Sequence, residues 1–126
     1  MSRFVELAGF PPDWREEHLQ EYLAQRLREM GYTVYLEVKC GRNCGRADIV
    51  ADPTDPNHPG DIVEVKSFLP RDEMFQAKGQ VESYQDVIPS RIPGQKRRAT
   101  VMGFAPIKPE AYRSALVAKA LIQQGC

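Results

Sequence analysis

The chain has 126 residues, 42% of them hydrophobic, and its 17 basic residues are balanced by 17 acidic ones. That length suits one domain covering residues 1–126, while a formal net charge of zero gives no support to a general polyanion binder and leaves any nucleic-acid contact to local clustering. No apolar run approaches the roughly 20 residues of a membrane helix, and Cys40, Cys44 and Cys126 follow no secretory leader, so the expectation is a cytoplasmic protein with free thiols and no membrane partner.

Pro11-Pro12-Asp13 reads as a helix entrance, with Asp13 as cap and Glu16 as the return half of a capping box. The helix is expected to run to Met30 on a stripe of Leu19, Leu23, Leu27 and Met30, widened by Tyr22 and stopped by Gly31. Glu17, Gln20 and Ala24 fall on the flank of that stripe, where they could reach a site beneath, and Glu21 lies nearly opposite it. Residues 32–38 are aromatic and β-branched and predict a first strand. The Gly-rich turn Cys40-Gly41-Arg42-Asn43-Cys44-Gly45 leads to a second strand over 46–51. Residues 52–60 are all turn chemistry and join it to a third strand, 61–66, as a hairpin with a long loop. A helix follows Pro70 to about Val87, broken by Pro89, Pro93 and Gly94. A fourth strand is expected over 99–104, and a last helix from Glu110 to Gln123, with Ala115, Leu116, Ala120 and Leu121 packing on the sheet. The order is αβββαβα.

The third strand, Asp61-Ile62-Val63-Glu64-Val65-Lys66, carries a carboxylate and an ammonium on one face, about 7 Å apart, with Val63 and Val65 on the other. Charges on a core-like strand need a partner, because burying either alone costs several kcal/mol. Asp48, in the middle of the second strand, supplies a second carboxylate. Cross-strand neighbours lie about 5 Å apart, close enough for Asp48 and Glu64 to share one hard divalent ion such as Mg²⁺, with Mn²⁺ as substitute. Lys66 beside that pair could orient the attacking water or offset charge developing on a phosphate.

Asp48 followed by Glu64-Val65-Lys66 on the next strand resembles the PD-(D/E)xK nuclease superfamily over roughly residues 13–105. Gly45-x-x-Asp48, Glu64-x-Lys66 and Gln80-x-x-x-Tyr84 together resemble its RecB-related, QxxxY branch. The resemblance implies a restriction-endonuclease-like αβββαβ core, a mixed four-stranded sheet flanked by helices, with the last helix as an extra. It also implies a Mg²⁺-dependent DNA endonuclease in which Asp48, Glu64 and the Val65 carbonyl hold metal and Lys66 is the catalytic base or stabiliser. Gln80 and Tyr84 would support the site or the substrate, and Glu17 would stand in the metal's surroundings. Val63-Glu64-Val65-Lys66-Ser67-Phe68-Leu69, followed by Ala77-Lys78-Gly79-Gln80 and Tyr84, is also similar to the XisH excision-controlling factors. That likeness implies the alternative of a non-catalytic, DNA-binding accessory factor that keeps the nuclease fold and works with a recombination partner protein.

Plainer readings stand beside these. Glu37-Val38-Lys39 is a second E-x-K triplet without an upstream aspartate on a neighbouring strand, so spacing favours Glu64 and Lys66. A surface salt bridge would explain that pair alone, at about 0–1 kcal/mol. Helical packing would explain Gln80 and Tyr84, and solvation would explain Glu17. Cys40 and Cys44 are too few for a structural zinc, since His18 and His58 lie elsewhere. Arg91, Lys96, Arg97 and Arg98 form the dense basic cluster, and Lys39, Arg42 and Arg46 a second one near the proposed site. Either is a candidate for DNA phosphate contacts or an ordinary solvated patch. One site per chain makes a homodimer the expectation for cutting both strands of a duplex.

Overall fold

The computed structural model describes residues 2–10, 14–41, 45–66, 71–104 and 116–123, with side chains described over 14–41, 45–66 and 76–103. The chain order is β1 (Ser2–Phe10), α1 (Glu16–Glu29), β2 (Thr33–Lys39), β3 (Arg46–Asp52), β4 (Asp61–Lys66), α2 (Arg71–Val87), β5 (Arg98–Phe104) and β6 (Leu116–Gln123). The strands form one mixed sheet in the order β1-β6-β5-β4-β3-β2. Only β4 and β5 pair in parallel, and α2 is the crossover between them.

The hydrophobic pattern explains the layers. Leu19, Leu23 and Leu27 of α1 pack on Ile49, Ala51, Val63, Val65 and Met102, one face of the sheet. On the other face Ala77, Val81, Tyr84 and Ile88 pack on Val50, Ile62, Ala99 and Val101. With a helix on each face, β4 is buried along its middle on both sides, which is why Ile62-Val63-Glu64-Val65 reads as a near-continuous apolar run with one charge in it.

The four expected strands form the β2–β5 part of the sheet, and both helices expected before β5 are present. Met30 stands off the α1 stripe, 64% exposed. The α1 start differs too. Arg15 is the cap, and its backbone N–H donates to His18 Nδ1 at 2.9 Å; Asp13 lies outside the described residues. Glu16 therefore gives way to His18 as the side chain reaching back to the cap.

A larger correction concerns the extra C-terminal helix expected over 110–123. Leu116–Gln123 is a strand, β6, set between β5 and β1 and antiparallel to both; residues 110–115 lie outside the description. Its run Leu-Val-Ala-Lys-Ala-Leu-Ile sets Leu116 and Ala120 one helical turn apart, but the edge of β5 lies beside it, and pairing that edge outweighs a weak local propensity. β1 carries no sequence-based expectation and closes the far edge against β6. Cys40 is disulfide-bonded rather than a free thiol, and the other two cysteines lie outside the described residues. No helix among the described residues is long and apolar enough to cross a membrane.

The loop from Pro53 to Gly60 is braced by two arginines from the segment between α2 and β5. Arg91 Nη1 donates to the carbonyls of Pro53 at 2.8 Å and Asp55 at 3.1 Å. Arg97, 7% exposed, meets Asp52 Oδ1 at 2.6 Å and donates through Nε to the Pro89 carbonyl at 2.8 Å. Gly60, at φ 95°, lies so close to the Arg97 guanidinium that a Cβ there would collide with it. These contacts hold the long hairpin loop against the start of β5.

Candidate functional site

Register decides whether Asp48 and Glu64 meet. In the β3–β4 ladder Ile49 faces Val63, Val50 faces Ile62 and Ala51 faces Asp61. One further step sets Asp48 beside Glu64, where the paired ladder ends. There the Asp48 carboxylate replaces the ladder: Oδ2 accepts a hydrogen bond from the Val65 backbone N–H at 2.7 Å. Asp48 is half-buried and Glu64 only 2% exposed, so neither carboxyl is an ordinary solvated surface group.

Glu64 is the electrostatic centre of the group. Burial, reinforced by the hydrogen bond and negative charge of neighbouring Asp48, pushes its carboxyl up to about 9, against a smaller opposing pull from Lys66 and the Tyr84 hydroxyl. Tyr84 is also pushed up, first by its own burial and then by Glu64. Glu64 Oε2 is buried and has no hydrogen-bond partner among the described residues. A buried carboxyl oxygen without a partner, beside a second carboxylate, is an arrangement a bound cation would relieve.

Lys66 completes the row. Its Nζ donates to Gln80 Oε1 at 3.0 Å, and Gln80 Nε2 donates to the Tyr84 hydroxyl oxygen at 2.9 Å. Helical spacing places Gln80 and Tyr84 one turn apart on α2, facing the end of β4. Tyr84 is fixed between the core and Gly45, where an added Cβ would stand 3.4 Å from the hydroxyl. A cavity of about 220 Å³ opens beside Lys66 and Gln80, lined also, among the described residues, by Gln76 and Ala77. Gln76, one turn before Gln80, is a site-lining residue that the sequence reading missed. Its signal was that same i, i+4 spacing.

The remaining candidates divide by position. Among the described residues no three His, Cys, Asp or Glu side chains gather to hold an ion, so the pair stands without Glu17. Glu17 is exposed and lines a groove with Gln20, Ala24 and Glu37. The pair alone still fits Mg²⁺, which is commonly held through one or two carboxylates, its other positions going to water and substrate oxygens.

Lys39 and Arg46 face each other in the β2–β3 ladder at the site's end of the sheet, both exposed; Arg42 lies outside the described residues. The dense cluster is elsewhere. Arg98 is level with Asp61, at the start of β4, about 16 Å along the strand from Lys66. In that cluster Lys96 pairs with Asp86 at 2.8 Å, while Arg91 and Arg97 are spent on the hairpin loop. The structure thus separates the two basic groups that the sequence could only list together.

Compared with known proteins, the chain matches no family model, no curated protein and no solved structure.

Proposed function

We propose that the protein is a metal-dependent deoxyribonuclease, an endonuclease of the PD-(D/E)xK kind. The observation that carries the reading is the pairing of Asp48 with a buried Glu64 whose Oε2 lacks a partner, with the Lys66 ammonium on the same strand face. Asp48 and Glu64 would hold Mg²⁺, or Mn²⁺ in its place, and the Val65 carbonyl would add a ligand. The ion supplies positive charge against phosphate oxygens and acidifies water. Lys66, held by Gln80, offsets negative charge that grows on the phosphate during hydrolysis. Gln80 is in turn oriented by Tyr84, and Lys39 and Arg46 contact flanking phosphates. Cutting both strands of a duplex calls for a homodimer, since each chain supplies one such site.

Cleavage of plasmid, single-stranded and branched DNA with and without Mg²⁺ tests this. Metal-dependent cutting is expected, lost in Asp48→Ala and Lys66→Ala while the circular dichroism of the folded protein is kept. Full activity in either variant overturns the assignment.

A second reading, a DNA-binding accessory factor similar to XisH that acts with a recombination partner, draws on the small ligand set: two carboxylates and no third acidic side chain among the described residues. It predicts salt-dependent DNA binding without turnover, and activity only when a partner protein is added.

A further inference from the structure

The β2–β3 ladder has a missing rung. Leu36 pairs with Ile49 and Val38 with Ala47, but the step between them, Glu37 with Asp48, is skipped. Glu37 there has φ 52°, the left-handed region that a glutamate seldom enters. Side chains change faces across this step. Val34 packs with the α1-side cluster and Val38 with the α2-side cluster, although four residues on a regular strand return to the same face. Ile49 and Ala47 divide in the same way. The hairpin turns over at Asp48.

One side chain spans the break. Gln20 Nε2, from α1, donates to the Asp48 backbone carbonyl at 3.0 Å and to Glu37 Oε1 at 3.4 Å. On the other side of the same residue the Asp48 carboxylate takes the Val65 N–H. Asp48 is thus held at two points, its main chain by α1 and its side chain by β4, just where the ladder offers it nothing.

We infer that Gln20 is a positioning residue: by bridging Glu37 and the Asp48 carbonyl it fixes the turned-over step and so aims the Asp48 carboxylate at the end of β4 beside Glu64. The value of that aim for metal binding rests on the nuclease reading above; the aim itself does not. Groups that orient a ligating side chain from behind commonly change metal affinity or activity 10–100-fold when removed.

The test uses the full chain with Gln20→Met, which keeps length and helix propensity but has no N–H, and Gln20→Lys, which restores a donor. In the metal-free protein, amide hydrogen exchange is read at Val65, with Ile62 in the same strand as control. About tenfold lower protection at Val65 is expected in Gln20→Met, with Ile62 unchanged and partial recovery in Gln20→Lys. Mn²⁺ affinity falls by about tenfold in the same variant. Wild-type protection at Val65 in Gln20→Met overturns the inference, and so does equal loss at Val65 and Ile62, which marks general destabilisation. Wild-type protein that takes up no Mn²⁺ while Gln20→Met still loosens Val65 sinks the nuclease reading and leaves the positioning role standing.

Discussion

Glu64 makes the protein's stability depend on pH in an unusual direction. Its folded-state value, about 9, lies above the ordinary 4.5, so below 4.5 both folded and unfolded chains carry the proton and the group favours neither. Between 4.5 and about 9 the unfolded chain releases a proton that the folded chain keeps, and stability falls by up to about 1.4 kcal/mol per pH unit from this group. Chemical denaturation at pH 5 and pH 8 without metal is expected to show the lower midpoint at pH 8. Glu64→Gln flattens that dependence and raises stability at pH 8, and it costs Mn²⁺ binding. At Glu37 the expectation is separate. Glycine adopts a positive φ without penalty, so Glu37→Gly holds stability level or raises it by up to about 1 kcal/mol, while Glu37→Val lowers it by about 1–2 kcal/mol in thermal melts.

Among the elements, the segment between α2 and β5 braces the hairpin loop through Arg91 and Arg97 and pairs Lys96 with Asp86. Arg97→Ala strands Asp52 and releases the hairpin loop, at about 3 kcal/mol, seen as a fall in melting temperature of roughly 10 °C. Lys39→Ala and Arg46→Ala, by contrast, leave the melt in place and each reduce the salt slope of DNA binding by about one. The contrast could not be read from Lys96-Arg97-Arg98, because charge density says nothing about which arginine finds an aspartate across the sheet. Site legibility followed the same division. Asp48, Glu64 and Lys66 were readable because strand alternation and hairpin pairing fix relative positions from spacing alone, and Gln80 with Tyr84 followed from helical spacing. Gln20 was readable as a flank residue able to reach a site, but its partners and the φ of Glu37 were not, since a skipped rung is a compromise between α1, β2 and β3 that no local pattern records. β6 was hidden for a related reason: its alanines suit either state, and an unpaired β5 edge, visible only in three dimensions, decided between them.

The whole molecule gathers its candidate chemistry at one end of a six-stranded sheet. The end of β4 carries Glu64 and Lys66, the start of β3 brings Asp48, and a helix closes each face. The opposite end holds the braced loop and the half-buried Asp61, whose carboxyl desolvation raises above its usual range against the pull of His58 and Arg98. A ligand bound at the candidate-site end therefore need not disturb the loop. Saturating Mn²⁺ is expected to raise the melting temperature of the wild-type protein and leave that of Asp48→Ala unmoved; equal shifts in both would place the ion elsewhere.

Lys66 is a donor only, and that fact reaches further than its charge. Gln80 must turn its oxygen toward the ammonium, which leaves its amide hydrogens for the Tyr84 oxygen. The tyrosine's own hydrogen is then free to lie toward Glu64, with which it shares a hydrogen bond. The row has a grammar with one permitted word order, set at one end by a residue that never touches the other. Replacing Lys66 with methionine frees the amide to flip and the hydroxyl to turn round, so the change rewrites the surroundings of Glu64 as well as deleting a positive charge.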